Sequence, residues 1–154
     1  MPGRIDERLA ALGITLPPTP KPVAAYIPTK RSGNLVFVSG QVPMRDGALM
    51  AAGLVGREVS LTDAAACARR CAINALAALK GELGDLDRVR SVVKVSVFVA
   101  CEATFTEHPK VANGASEFLR EVFGEPGTHA RAAVGCASLP LGAPVEVEMV
   151  VEVA

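Results

Sequence analysis

Residues 145–153 read Val-Glu-Val-Glu-Met-Val-Val-Glu-Val, and this alternation decides the fold. Side chains of a strand point alternately to the two faces of a sheet. One face therefore carries only apolar side chains, which we expect two helices to cover: Val145, Val147, Met149, Val151 and Val153. The other face is half polar, with Glu146, Glu148, Val150 and Glu152. Such a face either meets water or packs against another subunit around wet pockets.

The preceding segment carries a charged residue at the head of an apolar strand. Residues 129–140 read His-Ala-Arg-Ala-Ala-Val-Gly-Cys-Ala-Ser-Leu-Pro, which predicts a strand over 130–137 with Arg131 near its start. A guanidinium on a buried sheet face requires an anionic partner, because an unpaired buried charge costs several kcal/mol. That partner is either a neighbouring glutamate such as Glu148 or the carboxylate of a ligand, and the residues alone leave both open.

Outward from these strands, hydrophobic periodicity predicts one domain of the α+β class in the order β-β-α-β-α-β-β. The sheet has two helices on one face. The predicted strands are 35–39, 49–55, 93–99, 130–137 and 145–153, and the predicted helices run from Ser60 or Thr62 to Glu82 and over 109–123. We expect Arg69, Arg70 and Lys80 to face water and His108 to be exposed. A short helix over 4–13 and a proline-rich arm over 16–22 precede the domain, so that residues 1–22 form an extension and 23–154 the body.

The composition excludes several classes of protein. The 154 residues contain 16 Lys and Arg against 16 Asp and Glu, without the basic surplus typical of nucleic-acid binders. No stretch approaches the roughly 18 continuous apolar residues of a membrane span, and the first residues lack the order of a signal peptide. We therefore expect a cytoplasmic protein that binds neither nucleic acid nor membrane. Four scattered cysteines are expected to be small buried thiols rather than metal ligands: Cys67, Cys71, Cys101 and Cys136.

Two motifs resemble signatures of the RidA/YjgF family of imine deaminases. Residues 34–43, Asn-Leu-Val-Phe-Val-Ser-Gly-Gln-Val-Pro, resemble the signature near the start of that family, and residues 130–140 with 147–149 resemble its C-terminal signature. The resemblance covers about residues 23 to 153. It implies the chorismate-mutase-like fold and a homotrimer, with sheets turned inward and pockets for a small carboxylate-bearing metabolite between adjacent subunits. The implied reaction is hydrolysis of a 2-imino or enamino acid to a 2-keto acid and ammonia, without metal or organic cofactor.

The resemblance also assigns roles to individual residues. It implies that Arg131 grips the substrate carboxylate, as a planar guanidinium can do with two parallel hydrogen bonds, and that Glu148 holds the attacking water. It places this pair on the sheet face turned toward the other subunits. Ser39 and Gly40 are implied to form the pocket wall, and Tyr26 to close the pocket from the N-terminal side.

The chain departs from the family pattern around these residues. Residues 24–28 read Ala-Ala-Tyr-Ile-Pro where the family reads Gly-Pro-Tyr-Ser-Gln, and Ala133 replaces a frequent cysteine. His129 stands where proline or alanine is usual. Since residues 129 and 131 of a strand point to the same face, His129 either lines the pocket as an additional acid or base or is a loop histidine at the strand entry.

Each assignment has a simpler alternative. Arg131 could be paired with Glu148 for structure alone, Ser39 could satisfy a backbone group, and Tyr26 could merely cover the edge of the sheet. The corresponding alternative function is a non-catalytic trimer that binds small carboxylates and has lost turnover. The endoribonuclease activity often attached to this family is disfavoured, because the neutral chain with few aromatic residues offers single-stranded RNA little to bind.

Overall fold

The structure is a computed structural model that describes residues 1–21 and 25–154. Within these ranges, a mixed sheet carries two long helices on one face, and the α+β class is confirmed. The elements are α1 (Arg4–Ala11), β1 (Thr29–Ser32), β2 (Leu35–Gln41), β3 (Met44–Arg45), β4 (Ala48–Leu49), α2 (Leu61–Leu83), β5 (Val89–Ala100), α3 (His108–Phe123), β6 (Ala130–Cys136) and β7 (Val145–Val153).

The main sheet has the strand order β1-β2-β7-β5-β6, and β3 and β4 form a separate small hairpin. Only β5 and β6 run parallel, because α3 crosses over between them. The predicted apolar face of β7 is buried throughout and packs beneath α2, while α3 covers β5 and β6, so the alternation identified the core correctly. The opposite face of β7 is partly exposed.

The helix α2 begins and ends where its sequence signals indicate. The Ser60 hydroxyl accepts a hydrogen bond from the Asp63 N–H (3.1 Å), and Gly84 ends the helix with a φ of 76°. Its alanine-rich side lets α3 come very close. A Cβ built on Gly114 of α3 would overlap the carbonyl oxygen of Ala65 and lie 2.8 Å from its carbonyl carbon. Only glycine therefore fits at this crossing of the two helices.

The first hairpin differs from the prediction. The segment 49–55 is not a strand of the main sheet, because Gly53 turns the chain with a φ of 117° soon after β4 ends. The partner of β2 is instead the upstream strand β1, joined to it by the two-residue turn at Gly33, whose φ is 61°. The sequence of β1, Thr-Lys-Arg-Ser, lacks an apolar alternation because β1 is an edge strand, so the pattern gave no signal for it.

The N-terminal extension is attached to the body at several points. The Asp87 carboxylate accepts hydrogen bonds from the N–H groups of Arg4 (2.8 Å) and Ile5 (2.7 Å), so it caps α1 in place of a local side chain. Further along, the Thr19 hydroxyl donates to the carbonyl of Ala77 on α2. The last arm residue, Pro22, and the predicted start of the body at Val23 lie outside the described residues.

Three cations of α2 that were predicted to face water are half-buried instead. Arg69 pairs with Glu121 of α3, and Lys80 pairs with Asp6 of α1. Arg70 donates from Nε to the carbonyl of Met44 (2.9 Å). The periodicity showed which side of α2 enters the core, but it could not show that α1, α3 and the β3–β4 hairpin cover the other sides.

Candidate functional site

Arg131 is held by neutral groups. Its Nη1 donates to Oδ1 of Asn113 (2.9 Å) and to Oγ of Ser116 (3.1 Å), both on α3. In the ranges that the structure describes, no carboxylate lies within ion-pair distance of this guanidinium. Neutral acceptors fix its orientation without neutralising its charge. The guanidinium is half-buried, so it remains able to bind an anion at the edge of the sheet.

His129 extends the same hydrogen-bond network. Because a carbonyl can only accept, the His129 Nδ1–H donates to the oxygen of Gly127 (2.6 Å). In the neutral ring, Nε2 then accepts the hydroxyl proton of Ser116 (2.8 Å), and the Ser116 oxygen accepts from Arg131. His129 thus shares Ser116 with Arg131, although it lies in the loop just before β6 rather than in the strand. Both of its ring nitrogens are occupied, and its visible contribution is to orient Ser116.

Arg131 and Glu148 lie on opposite faces of the sheet, so their expected placement on one face is wrong. Val95 of β5 is paired with Arg131 and Met149, and Ser96 with Ala132 and Glu148. Paired residues share a face, and Val95 is buried beneath the helices. The side chain of Arg131 is therefore on the helix side at the edge strand, whereas Glu148 is on the open side.

Glu148 lies in a groove on the open face of the sheet. The groove has a volume of about 440 Å³, and its polar lining comprises Lys30, Ser39, Lys94, Ser96 and Glu148. In the described part of the chain, neither lysine forms an ion pair with Glu148. An exposed carboxylate between two cations and two hydroxyls can hold a water molecule or a small polar ligand. Glu148 is therefore not an isolated glutamate on the surface, because other polar side chains line the same groove.

Ser39 and Gly40 lie where β2 is irregular, opposite β7. The Ser39 hydroxyl donates to the carbonyl of Ile27 (2.7 Å), so it satisfies a backbone group even though it also lines the groove. A Cβ on Gly40 would overlap Oε1 of Glu146, which explains the glycine by the close approach of this carboxylate. Burial first, and then the charge of Glu148, raise the pKa of Glu146. Glu146 is thus more deeply set than Glu148 on the same face.

Tyr26 lies elsewhere. It lines a second cleft of about 700 Å³, which is bounded by the proline-rich arm, the segment 40–47 and α2. Gly40 contributes to this cleft also, but neither Glu148 nor Arg131 does. In a single protomer, the six residues named by the sequence therefore fall into three places: His129 and Arg131 at the β6 edge, Ser39 and Glu148 in the groove, and Tyr26 and Gly40 in the arm cleft.

Cys67, Cys71 and Cys101 are buried as expected, whereas Cys136 is half-buried. Burial raises the pKa of all four, that of Cys67 to about 11. His108 is half-buried rather than exposed, with Nε2 3.4 Å from the sulfur of Cys101. Across residues 1–21 and 25–154, no cluster of three or more His, Cys, Asp or Glu side chains is arranged to hold a metal ion. No helix in those ranges is long and apolar enough to cross a membrane.

Four residues of these sites were not identified from the sequence. Asn113 and Ser116 are three apart on a helix and so share a face, but the pattern does not show that this face reaches Arg131. Lys94 lies in the strand predicted over 93–99, but the sequence pattern gives it no role. Lys30 was missed together with its strand.

Comparison with known proteins identifies the family. The family described as "YjgF/chorismate mutase-like, putative endoribonuclease" matches residues 6–153. Protein TCP17 of Trypanosoma cruzi is 46% identical over 151 residues, 97% of this chain and 94% of that protein. A 2-iminobutanoate/2-iminopropanoate deaminase of Dermatophagoides farinae is 29% identical over 139 residues, 90% of this chain and 93% of its own. The crystal structure of Atu1372 from Agrobacterium tumefaciens, of unknown function, is 49% identical with a TM-score of 0.89 and covers 97% of this chain and 91% of its own. The chain belongs to the YjgF/chorismate mutase-like family.

Proposed function

We propose that this protein hydrolyses 2-imino or enamino acids to 2-keto acids and ammonia, with Arg131 binding the substrate carboxylate and Glu148 holding the attacking water. The observation that carries the proposal is that the hydrogen-bond acceptors of Arg131 are uncharged. A guanidinium held only by the neutral acceptors Asn113 and Ser116 keeps its full charge for a ligand. The similarity to the 2-iminobutanoate/2-iminopropanoate deaminase of Dermatophagoides farinae supports the choice of reaction.

The proposed site is formed between copies of the chain. Arg131 and Glu148 are on opposite faces, and β5 lies between their strands. Two strand spacings alone separate them by roughly 10 Å, too far for one small imino acid. Arg131 of one copy is therefore proposed to face the Glu148 groove of the next, in a homotrimer. In this arrangement Lys30 and Lys94 add positive charge around an anionic substrate.

The chemistry then requires few groups. Glu148 accepts a proton from the bound water as its oxygen attacks the imine carbon, and the electron pair of the C=N bond moves to nitrogen. Glu148 returns this proton to the nitrogen, which gives the amino alcohol. Glu148 then takes the hydroxyl proton and passes it to the nitrogen as the C=O bond forms and the C–N bond breaks, so ammonia and the 2-keto acid leave and the carboxylate is regenerated. Arg131 holds the carboxylate throughout, which keeps the imine carbon next to the water.

The test uses imines generated in situ by an amino-acid oxidase. The wild-type protein should accelerate ammonia release, and Arg131→Gln and Glu148→Gln should each abolish the gain. Arg90→Gln, an exposed cation on β5, is the matched control and should behave as wild type.

Co-expression of the two inactive variants tests the site between copies. The Glu148→Gln variant retains Arg131, and the Arg131→Gln variant retains Glu148. An interface that combines these two retained residues is intact. Random mixing should therefore restore about a quarter of the sites. No recovery in verified mixed oligomers would refute a shared site, and no acceleration by the wild type would refute the hydrolysis for the substrates tried.

A second candidate is a non-catalytic oligomer that binds small carboxylates. The observation that favours it is the separation of Tyr26 from the Glu148 groove and the use of the Ser39 hydroxyl by Ile27. Calorimetry with 2-keto acids distinguishes the two: tight binding that requires Arg131, without any ammonia release, would identify a sensor.

A further inference from the structure

The arm cleft is lined by three cations, Lys21, Arg45 and Arg70, and by one carboxylate, Asp46. Arg70 of α2 and Arg45 of β3 both line it. In the described ranges, neither forms an ion pair. Burial, and next the positive charge of Arg45, lower the pKa of Arg70, and Asp46 only partly offsets this. Two neighbouring cations, one of them half-buried, favour the binding of an anion beside them.

The orientation of Arg70 is fixed by the backbone. Its Nε donates to the Met44 carbonyl (2.9 Å), which also accepts from Nδ2 of Asn74 (3.0 Å). The same Asn74 amide donates to the carbonyl of Val42 (3.1 Å) and is buried. These bonds hold the segment 42–44 against α2. They leave the terminal nitrogens Nη1 and Nη2 of Arg70 for a planar anion, which a guanidinium binds through two parallel hydrogen bonds.

Much of the remaining lining is apolar, although Thr15, Lys21 and Gln41 also contribute to it. The arm contributes Leu16, Pro17, Pro18 and Pro20, and Tyr26 and Met44 lie among the other lining residues. Proline has no N–H, so this wall needs few hydrogen-bond partners. The arm itself is fixed by Asp87 at α1 and by Thr19 on α2. A cleft of about 700 Å³ with much apolar lining and a few oriented polar groups has the size and character of a small-molecule site.

We propose that the arm cleft binds a small organic carboxylate with an apolar body, its carboxylate on Arg70 and its apolar part against the proline-rich arm. A carboxylate with an apolar body fits better than a phosphate because much of the lining, including the proline-rich arm, is apolar. The site lies within one protomer and contains neither Arg131 nor Glu148, so it is independent of the proposed hydrolysis.

Phenylacetate and its neutral amide, phenylacetamide, are suitable probes. The chain has one tyrosine and no tryptophan, so tyrosine emission reports Tyr26 in the cleft wall and calorimetry supplies the affinity. We expect phenylacetate to bind and to change this emission. Phenylacetamide should bind at least about tenfold more weakly, since hydrogen bonds to a charged group are worth about 1.5–3 kcal/mol.

Variants locate the site. Arg70→Gln should weaken phenylacetate binding about tenfold or more, whereas Arg69→Gln, the same change one position earlier on α2 but facing α3, should not. Arg45→Gln alters an exposed side chain and should weaken binding less, without affecting the fold. Arg131→Gln should leave binding unchanged. Thermal melts verify that each variant is folded.

Several results would overturn the proposal. These are no binding of phenylacetate by the wild type, equal affinity for acid and amide, or equal affinity in Arg70→Gln and Arg69→Gln. Loss of binding in Arg131→Gln would assign the anion to the proposed hydrolytic site instead. Competition by inorganic phosphate as effective as phenylacetate itself would refute the preference for a carboxylate with an apolar body.

Discussion

Gly114→Ala provides a sharp test of how the helices position Arg131. The change adds one methyl group where α3 crosses α2, and that group would meet the backbone of Ala65 rather than a flexible side chain. Gly114 lies between Asn113 and Ser116, the two residues that hold the guanidinium. A displacement of α3 therefore affects both the stability of the protein and the geometry of Arg131.

The magnitude follows from the distances. The new Cβ would lie 2.8 Å from the Ala65 carbonyl carbon, whereas carbon atoms pack best at about 3.5–4.0 Å. The backbones must part by about 1 Å. Overpacking costs typically about 1–3 kcal/mol, and the upper end applies here because backbone cannot rotate away. The better helix propensity of alanine returns about 1 kcal/mol, so the net loss is about 1–2 kcal/mol.

Thermal unfolding followed by circular dichroism measures this loss. For a chain of this size, we expect the midpoint to fall by about 2–8 °C. Glu117→Ala, an exposed position on the same helix, is the control and should change stability by no more than about 0.5 kcal/mol. In the folded variant, carboxylate binding that depends on Arg131 should also weaken. A Gly114→Ala protein as stable as the wild type would refute the close helix crossing.

Two further predictions concern pH. The raised pKa of Glu146 means that the folded protein binds this proton more tightly than the unfolded chain, so ionised Glu146 lowers stability above its folded pKa. Glu146→Gln should therefore raise the melting midpoint at pH 7 and leave it unchanged below about pH 4; an equal effect at both pH values would contradict this. The N–H groups of Ile5 and Arg4 lower the pKa of Asp87, so its stabilisation is present above the ordinary value of 3.8 and is lost as the pH falls through the folded pKa. Asp87→Asn should lower the midpoint at neutral pH, and the difference should vanish in strong acid; a difference that persists there would count against the capping role.

The sequence predicts those parts of the fold whose residue pattern is compatible with only one local structure. The alternation of β7 has a single interpretation because one of its faces is wholly apolar. The start of α2 was predictable because Ser60, one of the two candidate caps, satisfies a specific backbone requirement, and the end of the helix lies one residue beyond the predicted Glu82. The edge strand β1 has no wholly apolar face, so its pattern does not identify it as a strand. The apolar segment 49–55 is interrupted by Gly53 and followed by Gly56, so it does not continue as a strand of the main sheet.

The site is less predictable for a related reason. The sequence of β6, Ala-Arg-Ala-Ala-Val-Gly-Cys, has small residues on both faces, so its alternation does not show which face is buried. The face of Arg131 is set by the parallel register with Val95, a long-range pairing that no local pattern encodes. His129 precedes β6 and is therefore a loop residue at the strand entry, and its closeness to Arg131 comes from their shared contact with Ser116.

The two edges of the main sheet differ in a way that limits self-association. The β1 edge presents Lys30 and Arg31, and charged side chains on an edge strand oppose pairing with a strand of another molecule. The β6 edge presents mainly small side chains, and its one cation, Arg131, is held by α3. Growth of the sheet from molecule to molecule would need a partner edge, and one of the two candidates is blocked. We therefore expect the protein to resist fibril formation at high concentration, and replacing both β1 cations by valine should remove that resistance.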